Sequence, residues 1–124
     1  MVEVVVTDEF AAWYEPLTLE EQESIERVVD RLVELGVALG FPYSSQIKGS
    51  PIGLRELRIQ HQGRPYRVLY AFDPKRQAVL LVGGDKTGPG SFLRRVRASR
   101  RVDLEGVLAR VVGGARRGDG AIDS

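Results

Sequence analysis

The chain has 124 residues, 43% hydrophobic and 28% charged, which suits one compact globular domain and is too short for two. It has no cysteine and a single histidine, His61, which excludes disulfide scaffolds, thiolate zinc sites, thiol nucleophiles and catalytic histidine pairs; no apolar run reaches the roughly 18 residues of a membrane span, and a cytoplasmic protein is expected. The net charge of +1 hides a division: residues 1–44 hold ten acids against Arg27 and Arg31, residues 45–88 hold eight basic residues against three acids, and residues 89–124 hold eight arginines against four acids. Such a split can present one basic face to a polyanion, although most charge runs are solvated surfaces.

In chain order, the β-branched run Val2–Val6 predicts a strand. Glu9–Tyr14 predicts a short helical turn, capped by Thr7 or Asp8 and stopped by Pro16. Thr18 and Glu21 form a capping box, which opens a helix from Leu19 to Leu35 with Gly36 as its left-handed end. Ile25, Val28, Val29, Leu32 and Leu35 recur at helical spacing and predict one buried stripe. Glu20, Glu21, Glu23 and Glu26 lie toward the positive end of that helix and read as dipole compensation, not as a magnesium site.

Residues 36–53 form a linker rich in Gly, Pro and Ser, with Phe41, Tyr43 and Ile47 as anchors to the core. Leu54–His61 then alternates, Arg55, Leu57, Ile59 and His61 facing one way and Leu54, Glu56, Arg58 and Gln60 the other. Gln62–Pro65 reads as a hairpin loop, Tyr66–Phe72 as the returning strand, Asp73–Gln77 as a second turn and Ala78–Val82 as a third strand ended by Gly83-Gly84. The expected fold is α+β, with N-terminal helices packed on a small, twisted antiparallel sheet. Residues 96–111 carry a helical apolar pattern weakened by Gly106, and residues 113–124 read as a disordered tail.

Arg55 or Arg58, Arg67 and Lys86 fall on successive strands or just beyond them. Neighbouring strands lie about 4.8 Å apart, so cations from three of them can converge on one phosphate. Guanidinium forks and an ammonium suit phosphodiester cleavage, in which charge grows on the phosphate oxygens. The competing explanation is ordinary cross-strand ion pairing on a wet sheet face.

Seven segments in order carry a family resemblance: Trp13-Tyr14-Glu15-x-Leu17, Gln22-x-x-Ile25, Leu39-Gly40-x-Pro42, Ile47-x-Gly49-Ser50, Leu54 to Arg58, Tyr66 to Pro74, and Gly83 to Thr87. Over residues 10–88 the chain resembles the RelE/ParE superfamily of toxins from bacterial toxin–antitoxin pairs, in its HigB-like, phage-Gp49-like branch. The resemblance implies an mRNA endoribonuclease that works at the translating ribosome with no metal or other cofactor, and a helix-turn-helix antitoxin encoded by a neighbouring gene. The implied reaction is attack of a ribose 2′-hydroxyl on the adjacent phosphorus, leaving a 2′,3′-cyclic phosphate and a 5′-hydroxyl. Arg67, Lys86 and Arg58 fall at the implied catalytic positions, and Arg55, Lys48, Arg64 and His61 are the accompanying RNA-binding candidates. The general base stays open among His61, Lys86 and Asp85.

The resemblance divides the chain into a toxin domain at 1–88, an atypical basic segment at 89–112 and the tail at 113–124. Many relatives continue beyond Gly88 with an aromatic-rich helix that supplies a tyrosine, whereas Ser91–Arg101 contains neither tyrosine nor proline. Two other functions therefore stand beside the nuclease: a ParE-like, non-enzymatic module that inhibits a topoisomerase, and an inactive toxin remnant with an altered C-terminus.

Overall fold

Five strands, β1 (Val4–Val6), β2 (Ser44–Gln46), β3 (Arg55–His61), β4 (Arg64–Phe72) and β5 (Ala78–Asp85), form one sheet in the order β1-β5-β4-β3-β2. The computed structural model describes residues 1–50, 53–86, 91–99, 106–107 and 109–110. Among the described residues the sheet is accompanied by the α-helices α1 (Asp8–Tyr14), α2 (Leu19–Leu35) and α3 (Phe92–Ser99), with a 3-10 turn at Gly36–Ala38 after α2. The expected tail at 113–124 lies outside the described residues.

The β3-β4-β5 meander is antiparallel, as the alternation predicts, and β2 adds an antiparallel edge through Ser44↔Leu57 and Gln46↔Arg55. The sheet is nevertheless mixed rather than antiparallel, because β1 pairs with β5 in parallel through Val4↔Ala78 and Val6↔Leu80. Pairing of that kind leaves no turn signature, since its partners are as distant as Thr7 and Leu81, whose hydrogen bond of 2.6 Å seals the join. β2 sits inside the segment expected to be a linker, and its three polar residues carry no apolar alternation to reveal it.

Helix α2 has the expected span and N-terminal box. Thr18 Oγ1 accepts from Glu21 N–H at 3.1 Å and Glu21 Oε1 accepts from Thr18 N–H at 2.9 Å. Gly36 ends the helix as expected, but at φ 55° and ψ −129°, a positive-φ conformation open to glycine and not the left-handed helical one. Ile25, Val28 and Leu32 are buried with Leu57, Ile59, Tyr66, Val68 and Tyr70 in the core between the helices and the sheet. Leu35 does not join them and is 51% exposed, and Phe41, expected as an anchor, is 81% exposed. The hairpin between β3 and β4 is tighter than expected: Gln62 and Gly63, both at positive φ, are its only loop residues, and Arg64 and Pro65 already belong to β4.

The second face of the sheet has its own core. Leu54, Leu69, Ala71, Val79, Leu81 and Val82 pack there with Phe92 of α3 and with Val107. α3 begins four residues before the helical pattern expected at 96–111, and residues 100–105, 108 and 111 of that pattern lie outside the described residues. Gly83 and Gly84 do not break the third strand, which runs through them to Asp85. They are close-approach positions instead. A Cβ on Gly83 would lie 2.3 Å from the Trp13 ring on one face, and a Cβ on Gly84 would lie 3.0 Å from Phe92 on the other.

Candidate functional site

The β3–β4 register decides which of the candidate cations meet. Arg58 stands directly opposite Arg67, and Arg67 stands opposite Gly84 of β5. All three belong to the face that packs against α3, because Val68 and Leu57, one residue away, point into the α2 core. Lys86 continues β5 past its end on the same parity as Gly84, with its N–H on Pro65 O at 2.8 Å. Arg67, Arg58 and Lys86 thus share one face.

The other candidates lie elsewhere. Arg55 falls on the α2 parity with its guanidinium 5.9 Å from the Phe72 ring. Arg64 pairs with Asp85 at 2.6 Å and sits over the Tyr66 ring on that same helix side. His61 Nδ1 is 2.7 Å from Ser24 Oγ of α2. Lys48 is exposed beyond the opposite end of β3, where Gln46 pairs with Arg55. Of the three residues open as general base, two, His61 and Asp85, therefore face away from Arg67.

Arg67 departs from the expectation of cations on an open sheet face. It is 5% exposed, and its Nη1 donates to its neighbour's carbonyl, Tyr66 O, at 3.0 Å. Glu56, one strand over, brings Oε1 to 3.4 Å from Arg67 Nε, beyond good hydrogen-bond reach, and that Nε has no hydrogen-bond partner among the described residues. Burial and then the charge of Arg58 push the Arg67 pKa down, while Glu56 opposes them. The guanidinium stays protonated even so, since arginine does not release its proton in proteins.

The arrangement is a buried, incompletely satisfied cation flanked by a second cation and one carboxylate. A phosphate oxygen would supply the missing acceptor and offset the Arg58–Arg67 repulsion. The alternation of β3 gives Glu56 a face but no partner; its pairing to Arg67 depends on the register of β3 against β4. Among the described residues no group of three or more His, Asp or Glu is placed to hold a metal ion, and no helix is long and apolar enough to cross a membrane.

Comparison with known proteins supplies the context. The family model described as phage-derived protein Gp49-like (DUF891) matches residues 12–98. The chain is 40% identical over 83 residues to the toxin candidate HigB2 of Mycobacterium tuberculosis, covering 65% of this chain and 41% of that protein. It is 36% identical over 86 residues to the toxin candidate HigB3 of the same organism, covering 68% of this chain and 74% of that protein. The chain thus spans less than half the length of the first relative and about three quarters of the second.

Two solved structures share the fold at a TM-score of 0.55. They are the intact Escherichia coli RelBE toxin–antitoxin complex, at 11% identity over 71% of this chain, and the isolated E. coli RelE toxin, at 12% identity over 82% of it. Each solved chain is covered in full.

Proposed function

The chain belongs to the phage-derived Gp49-like family, and on that premise we propose that it is the toxin of a bacterial toxin–antitoxin pair and cleaves mRNA. The observation that supports this reading best is the Arg58–Arg67 pair, two guanidiniums opposed across β3 and β4 with one carboxylate beside them. Proteins rarely hold like charges together on a shielded face without an anion to meet them.

In the proposed reaction Arg67 and Arg58 hold the scissile phosphate, and their charge is worth most as the phosphorane forms. Lys86 takes the proton of the 2′-hydroxyl as its oxygen bonds to phosphorus. The bond to the 5′-oxygen then breaks, that oxygen gains a proton, and a 2′,3′-cyclic phosphate remains. Arg55, Lys48, Arg64 and His61, which lie off this face, hold more distant parts of the RNA or ribosome. The ribosome is the proposed setting, the cytoplasm the proposed compartment, and no cofactor is assigned.

The proposed partner is an antitoxin from a neighbouring gene, of helix-turn-helix type. The name of the RelBE complex describes a toxin held by an antitoxin, and this chain shares its fold. The test is a translation reaction programmed with one mRNA and read by primer extension, run beside a DNA-supercoiling assay. Cuts made by the parent protein and lost in Arg67→Ala support the nuclease. Intact mRNA with inhibited supercoiling would replace it with the topoisomerase-binding reading.

A further inference from the structure

We infer that the cleft between α2 and the free edge of β3 is a binding subsite for one single-stranded RNA nucleotide adjoining the cleaved one; this rests on the nuclease reading above. The cleft measures about 340 Å3, room for a nucleotide-sized group, and is lined by Ser24, Arg27, Arg31, Tyr43, Arg58 and Gln60 among others.

Its charge is the first argument. Arg27 and Arg31 are the two basic residues among residues 1–44, in a stretch with ten acids, and both line this cleft. They stand one helical turn apart, where like charges repel. Arg58 adds a third guanidinium from β3, beyond the reach of the short edge strand β2. Among the described residues none of the three pairs with a carboxylate, although α2 offers several. Three converging guanidiniums without a counter-ion are a receptor for an external anion.

The aromatic rings are the second argument, and they favour RNA over an acidic peptide. Arg31 lies 4.6 Å from the Tyr43 ring centre, and Arg58 lies 5.7 Å from that of Phe41, which is 81% exposed. An exposed ring beside arginines is a stacking platform for a base, with the cations for its phosphate. The floor is fixed, since Arg58 N–H donates to Tyr43 O at 2.8 Å and Arg27 Nη2 to Ser24 Oγ at 3.1 Å.

Continuity is the third argument. Arg58 lines the cleft and also stands opposite Arg67 in the β3–β4 register, so the cleft adjoins the Arg67 site around the edge of the sheet at one shared residue.

The test uses a fluorescent 2′-O-methyl RNA hexamer, which lacks the attacking hydroxyl, and anisotropy with the full chain. The variant Arg27→Gln/Arg31→Gln alters exposed positions, and its melting temperature verifies folding. Binding is expected to weaken about tenfold in this variant and in Phe41→Ala, and the double variant's salt slope is expected to flatten by about one. Unchanged hexamer affinity in a folded double variant overturns the subsite, whether or not the parent cuts mRNA. Tenfold weaker binding from a parent that never cuts leaves the subsite standing and removes the nuclease. Loss of the antitoxin complex with RNA binding intact makes the cleft a protein dock and also overturns the proposal.

Discussion

Glu56 and Arg67 meet diagonally across β3 and β4 with Oε1 and Nε 3.4 Å apart and side chains only 13% and 6% exposed. Both charges are drawn out of water, and neither is well satisfied by the other. Removing Glu56 leaves Arg67 buried beside Arg58 with no compensating charge. Glu56→Gln is expected to lower stability by on the order of 3 kcal/mol, as for other broken buried pairs. Urea unfolding measures it, and a loss below about 1 kcal/mol, the range of surface pairs, would mean that water screens the site.

Catalysis gives the second prediction. Arg67→Ala is expected to slow mRNA cleavage by about 10²–10³, the usual loss for one preorganised donor. Arg67→Lys is expected to recover only part of it, because an ammonium lacks the two-pronged contact. Burial of Arg67 means that the alanine variant also loses stability, so rates are to be normalised to folded protein by circular dichroism. Lys86→Ala is expected to cut slowly and to lose the ascending limb of the pH–rate profile. Parent-like cutting by both alanine variants would remove the catalytic assignment.

A third prediction tests the packing that supports the site. A Cβ on Gly83 meets three atoms of the Trp13 ring within 2.8 Å, and a rigid indole cannot yield as a flexible chain end does. Gly83→Ala is expected to cost about 3 kcal/mol, the upper range for an overpacked core. Gly84→Ala meets only the edge of the Phe92 ring, at 3.0 and 3.3 Å, and is expected to cost less. Thermal unfolding of the two variants gives the order, and the reverse order would show that Trp13 is not held against β5.

Those two glycines also show where sequence reading reaches its limit. Helix α2 was legible to the residue, because the Thr18–Glu21 box and Gly36 act locally. A Gly-Gly pair carries two meanings, a break or a close approach, and only the positions of Trp13 and Phe92 choose between them. Strand parity already separated Arg55 and His61 from Arg58, so part of the site's division was present in the alternation of β3. What the alternation lacks is the neighbour: Arg58↔Arg67 and Glu56 beside Arg67 depend on a two-residue turn, where a four-residue loop was expected. Arg27 and Arg31 stood out by charge, but their cleft needs the segment around Tyr43 folded back on β3.

The last prediction concerns pH and rests on Tyr66, which joins β4 to the start of α2. Its hydroxyl donates to Glu21 Oε2, while the other oxygen of that carboxylate completes the helix cap. The Tyr66 hydrogen bond, then the Thr18 N–H, hold the Glu21 pKa down at about 2, against an ordinary 4.5. Burial, then the Glu21 carboxylate, push Tyr66 up to about 12 from 10.0. A depressed acid stabilises the fold above its unfolded pKa, and that contribution is lost as pH falls from about 4.5 through about 2. A raised phenol stabilises below its unfolded pKa, and its contribution fades as pH rises from about 10 through about 12. Tyr14, which donates to Glu26 and is also raised to about 12, adds to the alkaline side. Tyr66→Phe is therefore expected to lose part of both limbs, its melting temperature falling less than the parent's between pH 5 and 2 and between pH 10 and 12. Superimposable acid limbs for parent and variant would show that Glu21 is held by its helix cap without Tyr66.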